Sequence, residues 1–246
     1  MGSLVAQAFG YRLGFRWESE TAREIVEGVL LADWERCERL EADHWFRLDA
    51  QERLFDGEQL FAEDGDLRLK LQQLVQMHLT GEARDFLFVH AGVVGWQGRA
   101  LVIPGPSRAG KSTLVLELIR AGAQFFSDEF AVFDRSGLVY AYPRPLWQRL
   151  SKTKKQSHSP QELGWRPGPP LPVGTLLMTQ FVKGARWKPR ELDVESSLQE
   201  IWKEVRYPSC RPGAREWLAS ALSAARCLKG ARGETAEMLP GLLSGV

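Results

Sequence analysis

The hydrophobic and polar positions change period several times along the chain, and each change marks an element. In "TAREIVEGVLLADWERCERLE" the apolar residues Ile25, Val26, Val29, Leu30, Trp34 and Cys37 recur at helical spacing, with Thr21 and Glu24 as a capping box. "HWFRLDA" and "RLFDGEQLFAE" alternate instead, which predicts short strands around Gly57. "DLRLKLQQLVQMHLT" returns to the helical period and is expected to close at Gly81. Past residue 85 the pattern is clearer. "FLFVHAGVVG" and "RALVIPG" are apolar strands, the second running into a glycine-rich loop. "STLVLELIRAG" is a helix with Gly122 at its C-terminal cap. "AQFFSDE" and "FAVFD" are strand-like, and "RSG" turns the chain into "LVYAY". Strand, loop, helix and strand in that order predict an α/β core.

Residues 143–174, "PRPLWQRLSKTKKQSHSPQELGWRPGPPLPVG", break the periodicity with proline and basic residues, and predict a long loop with at most a short helix. "TLLMTQFV" is a strand, "VESSLQEIWKEV" and "AREWLASALSAARCLK" are amphipathic helices, and the last dozen residues are expected to fray. The division that follows is a mixed lobe over 1–85 and a larger domain over 86–246.

Composition adds limits. The 246 residues are 44% hydrophobic and 26% charged with a formal net charge of +1, so no global charge points to nucleic acid or an anionic membrane as partner. Cys37, Cys210 and Cys227 lie far apart and form no CxxC, which fits reduced thiols in a cytoplasm rather than a disulfide framework or a zinc site. The N-terminal stretch lacks the pattern of a signal peptide, and Ala6 stands where myristoylation needs Ser or Thr. No apolar run approaches the ~18 residues that span a bilayer. A homo-oligomer is one assembly the composition allows.

The chemistry concentrates in "GPSRAGKST", residues 105–113. Gly105, Gly110, Lys111 and Ser112 meet the pattern GxxxxGK[ST], set between a strand and a helix. In such a loop the successive main-chain N–H groups of Gly105, Pro106's neighbours Ser107, Arg108 and Ala109, and on to Gly110 and Thr113 curl around phosphate oxygens at a helix N-terminus. Lys111 would reach the β and γ phosphates and the Ser112 hydroxyl would ligate Mg²⁺. Asp128 and Glu129 follow after one short helix and a strand, which predicts that they end the strand next to the loop-bearing one. A carboxylate there can hold Mg²⁺ or accept the proton of an attacking hydroxyl. His90, ending "FLFV", reads on its own as a polar group near a strand end.

"HAGVVGWQGRALVIPGPSRAGKSTLVLELIRAGAQFFSDEFAVFD" resembles the kinase core of the HPr kinase/phosphorylase family, and more closely its stand-alone HPr-kinase-like members, which share a phosphoenolpyruvate-carboxykinase-like fold. His90-Ala91, the approach from Gly98 to Gly105, Lys111 and the acidic pair fall in the family's order. The resemblance implies an HPr-kinase-like P-loop core, ATP and Mg²⁺ as cofactors, and a serine- or threonine-type hydroxyl acceptor on a peptide, protein or small molecule. By family role Asp128 would be the general base, Glu129 and Ser112 would hold the metal beside Asp128, and His90 would support the acidic pair. Arg108 stands where the family loop usually has glycine, and Glu129 where it has Asp. No Glu-x-Arg-Gly segment of HPr kinase proper is found, which separates the chain from HPr as acceptor.

Among the basic residues of the long loop, Arg144, Arg149, Lys152, Lys154 and Lys155 are candidates to steer the acceptor. Arg149, between Trp147 and Leu150, is preferred because its stem is expected to pack. Two other readings remain open. A shikimate-kinase-like enzyme would flank the loop-bearing strand with parallel strands, whereas a carboxykinase-like one has antiparallel neighbours. A nucleotide-binding regulatory module would bind ATP without transferring phosphate.

Overall fold

The computed structural model describes residues 1–151 and 153–243, and the chain divides into two compact units, Met1–Asp85 and Phe86–Val246. Both are mixed α/β, with six α-helices among the described residues. None of these helices is long and apolar enough to cross a membrane.

The first unit opens with a hairpin of β1 (Gly2–Ala8) and β2 (Tyr11–Trp17). Phe9 and Gly10 turn it with φ of 52° and 72°, the left-handed pair that matches a twisted two-residue hairpin. Helix α1 (Glu20–Glu27) starts on Ser19, whose hydroxyl accepts the Ala22 N–H at 3.1 Å, so Ser19 and not Thr21 is the cap. The helix stops at Gly28, far short of the expected Cys37. Glu35–Cys37 is instead strand β3, paired along β1 with Val5 opposite Cys37. The open edge of β1 offers ladder hydrogen bonds there, and that pairing overrides a helical period. Strands β4 (His44–Leu48), β5 (Leu54–Asp56) and β6 (Gln59–Ala62) complete a six-stranded sheet in the order β3-β1-β2-β4-β5-β6, with only β2–β4 parallel. Helix α2 (Leu67–Glu82) is capped by Asp66 and buries Leu71, Leu74, Val75 and Leu79. It runs through Gly81 to a cap at Ala83, where the sequence had suggested closure at the glycine.

The second unit is built on an eight-stranded sheet. Its first half holds β7 (Phe86–Trp96), β8 (Arg99–Pro104), helix α3 (Lys111–Arg120), β9 (Gln124–Ser127), β10 (Phe130–Asp134) and β11 (Leu138–Tyr140). A separate hairpin of β12 (Leu146–Arg149) and β13 (Lys155–His158) follows. Then come β14 (Leu171–Phe181), β15 (Arg190–Glu191), helices α4 (Val194–Ile201) and α5 (Ala214–Leu222), β16 (Arg226–Arg232) and helix α6 (Thr235–Leu243). The order is β11-β10-β7-β8-β14-β16-β15, with β9 also paired to β7 and β11 to β14. Strands β8, β14 and β16 are mutually parallel, and β7 is antiparallel to β8.

Both faces of this sheet are covered, which explains its apolar runs. Along β8, Ala100 and Val102 pack toward α4 and α5, while Leu101 and Ile103 pack toward α3 and α6. Three expectations are corrected here. The proline-rich segment is not a long loop: it contains the β12–β13 hairpin, with Leu146, Leu163 and Trp165 buried against the α3 face. The helix expected over 214–229 ends at Leu222, because Cys227 and Leu228 are needed as a parallel strand beside β14. The tail through Leu243 is helical, with Met238 and Leu242 buried. Residues 244–246 of that tail, like Lys152, lie outside the described residues.

Candidate functional site

The carboxyl ends of the three parallel strands β8, β14 and β16 meet at one edge of the second unit, where ligands bind in open α/β sheets. Strand β8 runs there into the glycine-rich loop. Gly105 and Gly110 take φ of 149° and 88°, and Arg108 takes 71°, in the left-handed region that glycine occupies without cost. The family's usual glycine position is thus glycine-like in backbone although it carries an exposed arginine. Gly110 is the N-cap of α3 and has no side chain to cap with. Its carbonyl accepts instead from Arg232 Nη2 at 2.8 Å, at the end of β16. Arg232 is 2% exposed and also donates to Gly233 O and Thr235 Oγ1, both at 3.3 Å, so it ties the loop to the far side of the sheet. Its Nε has no hydrogen-bond partner.

Lys111 opens α3 and is buried. Its ammonium donates to Gly105 O at 2.7 Å and Pro106 O at 3.0 Å, which keeps it folded over the loop. Burial lowers its proton affinity, opposed by the negative charge of Asp128, Glu204 and Glu129.

The acidic pair is not on a strand adjacent to β8, as expected. Strands β9 and β10 both pair with β7, one with each half, and Asp128-Glu129 form the link between them. The Glu129 carbonyl accepts from Ala91 N at 3.2 Å. The fully buried Ser127 hydroxyl accepts from the N–H groups of Glu129 and Phe130 at 3.1 and 3.0 Å, so it holds the backbone of the pair. Gly92 leaves the space that the pair needs. A Cβ there would stand 2.7 Å from Val115 Cγ2, 3.7 Å from Asp128 Oδ1 and 3.9 Å from Lys111 Cβ, which shows how closely α3 and Asp128 approach the strand.

The Ser112 hydroxyl lies close enough to Asp128 to stabilise its charge, while Asp128 Oδ1 is buried with no partner. Burial pushes its pKa up to about 7, against the pull of Ser112 and Lys111; the charge of Glu129 raises it further. Glu129 is also pushed up by burial, and Arg144, Lys111 and Arg206 draw it back. Ser112, Asp128 and Glu129 carry oxygen atoms of the hard type that Mg²⁺ takes.

His90 faces a different group. Its Nδ1 lies 3.4 Å from Glu204 Oε2. Desolvation, with Lys111 and Arg206 nearby, holds its pKa down at about 4, so the imidazole is neutral at pH 7. Its hydrogen bond therefore goes to Glu204, and not to the acidic pair that the family role suggested. Glu204 and Arg206 were missed from sequence. They arrive because the chain after α4 docks on β7, with Val205 bridged to Val89 and Arg206 N–H donating to Phe88 O at 2.8 Å. Tyr207, next after Arg206, takes a left-handed φ of 45°.

Of the basic candidates, Arg149 and its neighbours Trp147 and Leu150 are exposed on the β12–β13 hairpin, so the expected packing of its stem is absent. Lys154 and Lys155 are exposed as well. Arg144 is 6% exposed, acts electrostatically on Glu129, and has an Nη1 without a hydrogen-bond partner. Pro106, Ser107 and Thr113 are exposed around the loop, and Ala109 is half-buried. Beside the loop opens a cleft of about 590 Å³, lined by Gly105, Thr179, Arg190, Lys203, Glu204 and Lys229 among others. That size suits a small organic ligand.

Comparison with known proteins adds no label to this geometry: no family model matches the chain, and no curated protein matches it.

Proposed function

We propose that the Phe86–Val246 unit is a kinase resembling the HPr-kinase-like proteins, with a P-loop core that uses ATP and Mg²⁺ to phosphorylate a serine- or threonine-type hydroxyl. The observation that carries this reading is Asp128: a half-buried carboxylate whose Oδ1 is buried and unpartnered, under the electrostatic influence of Ser112 and Lys111. A base poised near neutrality at the end of a phosphate loop is matched to abstracting a hydroxyl proton. The mixed sheet, with β7 antiparallel to β8, supports the carboxykinase-like layout over a shikimate-kinase-like one.

In this reading the loop N–H groups and Lys111 grip the β and γ phosphates. Ser112, Asp128 and Glu129 would hold Mg²⁺, which supplies neutralisation of phosphate charge. Asp128 takes the acceptor's proton as its oxygen bonds to the γ-phosphorus; the bond to the β–γ bridging oxygen breaks and ADP leaves with that electron pair. Neutral His90 orients Glu204, and Arg144 faces Glu129 with a donor free for an anionic acceptor or the transferring group.

The test is incubation of the full chain with γ-labelled ATP, Mg²⁺ and a pool of hydroxyl-bearing peptides and metabolites, read by mass spectrometry. A phosphorylated product that disappears with Asp128→Asn is the expected result. Tight nucleotide binding with no product from any acceptor would overturn the kinase reading in favour of a regulatory module.

A further inference from the structure

In the first unit, two of the chain's four histidines converge on one carboxylate. His44 begins β4, Asp56 ends β5 and His78 lies on α2. The β4–β5 register sets Phe46 opposite Asp56, so His44, two residues before Phe46, shares its face of the sheet. Helix α2 brings His78 onto that face. His44 Nε2 stands 2.5 Å, and His78 Nε2 3.1 Å, from the same Asp56 Oδ1. The two imidazoles stack with centroids 3.9 Å apart and planes 24° apart. Phe46 meets both edge-on, at 5.0 and 5.2 Å, and forms an apolar floor.

Two imidazole nitrogens and a carboxylate oxygen within 4.8 Å of one another are donors of the type and spacing that a metal ion can take, besides the two hydrogen bonds they make now. Ligand atoms on a tetrahedron with bonds of about 2.0 Å are roughly 3.3 Å apart, so one ion requires the two stacked imidazoles to turn their in-plane Nε2 lone pairs toward a common point beside Asp56 Oδ1. The side chains are 25%, 24% and 17% exposed, enough for an ion to enter from solvent. Glu82, one turn beyond His78, adds negative charge that acts on both His78 and Tyr11. Imidazole with carboxylate selects zinc and its transition-metal neighbours over Mg²⁺ or Ca²⁺, and three protein ligands leave a coordination position open.

We propose that His44, Asp56 and His78 bind one divalent transition-metal ion of the zinc class through Nε2, Oδ1 and Nε2, with the remaining position open to water or an external ligand. This site is separate from the Ser112–Asp128–Glu129 set and stands whether or not the second unit is a kinase.

The test uses the full chain stripped with chelator, titrated with Zn²⁺ by calorimetry and assayed for metal after gel filtration. One zinc per chain is expected. His44→Ala and His78→Ala should each weaken it by roughly 100-fold or more, beyond what a lost supporting contact costs, while Asp128→Asn leaves it unchanged. Co²⁺ loaded into the native chain should give visible ligand-field bands that Zn²⁺ displaces, a readout that stands even if a histidine variant fails to fold. Native protein that retains no zinc, or histidine variants that fold and bind zinc as tightly as the parent, would overturn the proposal and leave Asp56 as a plain hydrogen-bond acceptor.

Discussion

Asp128 and Asp56 each anchor a cluster of ionisable groups, and the fold treats them in opposite ways. Asp128 is half-buried beside Lys111, Ser112 and Glu129, with its buried Oδ1 left without a donor. Asp56 is about a quarter exposed, and one of its oxygens meets two imidazole nitrogens. The first carboxylate is held short of the contacts that would stabilise its charge, and burial accordingly pushes its pKa up to about 7. The second is already surrounded by ligand atoms. An under-satisfied acid is a candidate reagent, whereas one converged on by imidazoles is a candidate ligand.

The largest break in this comparison is Asp128→Asn. An amide cannot take the acceptor proton, so turnover should fall by about 10²–10⁴-fold, measured as initial rate at saturating ATP. Under the proposed reading the loop and Lys111 carry nucleotide affinity, which should then change by no more than about threefold. Loss of binding and rate together would show that Asp128 holds the nucleotide rather than acting as the base.

The same substitution should have the reverse effect on stability. Folding raises the Asp128 pKa from an ordinary 3.8 to about 7, so the folded chain prefers the protonated acid. The stability this brings is complete below about pH 4 and is lost as pH rises through about 7. At about 1.4 kcal/mol per tenfold change in proton affinity, that loss is of order 2–4 kcal/mol. Urea unfolding at pH 8 should therefore show Asp128→Asn more stable than the parent by that order, and at pH 4 nearly equal. A variant no more stable at pH 8 would mean that Asp128 is better satisfied than its unpartnered oxygen indicates.

Arg144→Ala is next in size. It removes a buried cation opposite Glu129, and transfer should drop about 10–100-fold, as loss of a charged hydrogen bond of 1.5–3 kcal/mol implies. A rise in acceptor KM would place the guanidinium on the acceptor, and a fall in kcat alone on the transferring group.

The parts of the site legible in the sequence are those built from neighbouring residues. Gly105 to Thr113 read as a phosphate loop because strand, glycines, lysine and helix are consecutive. Asp128 and Glu129 stood out by their distance from Lys111, although their strand proved to pair with β7 rather than β8. Glu204, Arg206 and Arg232 carried no such local signal. The first two depend on Val205 docking against Val89, and Arg232 on a strand hidden in what looked like the end of a helix. Trp217, Leu218 and Leu222 keep a helical period that runs on toward Cys227, and only the vacant edge of β14 decides where it breaks. The His44–Asp56–His78 cluster was invisible for the same reason, since its residues come from two strands and a helix. Of the fold, the strands covered on both faces were plain, and the β12–β13 hairpin was masked by its prolines and lysines.

Asp56→Asn sharpens the comparison from the other side. In the metal-free chain it exchanges a carboxylate for an amide at a partly exposed site, so it should cost only about 1 kcal/mol in urea unfolding, the scale of a net hydrogen bond. The variant should destabilise where Asp128→Asn stabilises. A gain in stability at pH 8 would put Asp56 in the same under-satisfied class as Asp128 and remove the distinction.

The smallest expected effect tests whether burial, rather than position in a basic segment, marks the working cation. Arg149 lies five residues after Arg144 and has the same charge, but it stands on the exposed β12–β13 hairpin beside Trp147, which is 59% exposed. Water and salt screen a charge placed there, and a flexible exposed side chain contributes little directed force. Arg149→Ala should therefore leave kcat and KM within about twofold of the parent at moderate ionic strength. If it instead matched the loss at Arg144→Ala, the hairpin would have to fold over the cleft during turnover, and the acceptor surface would extend along it.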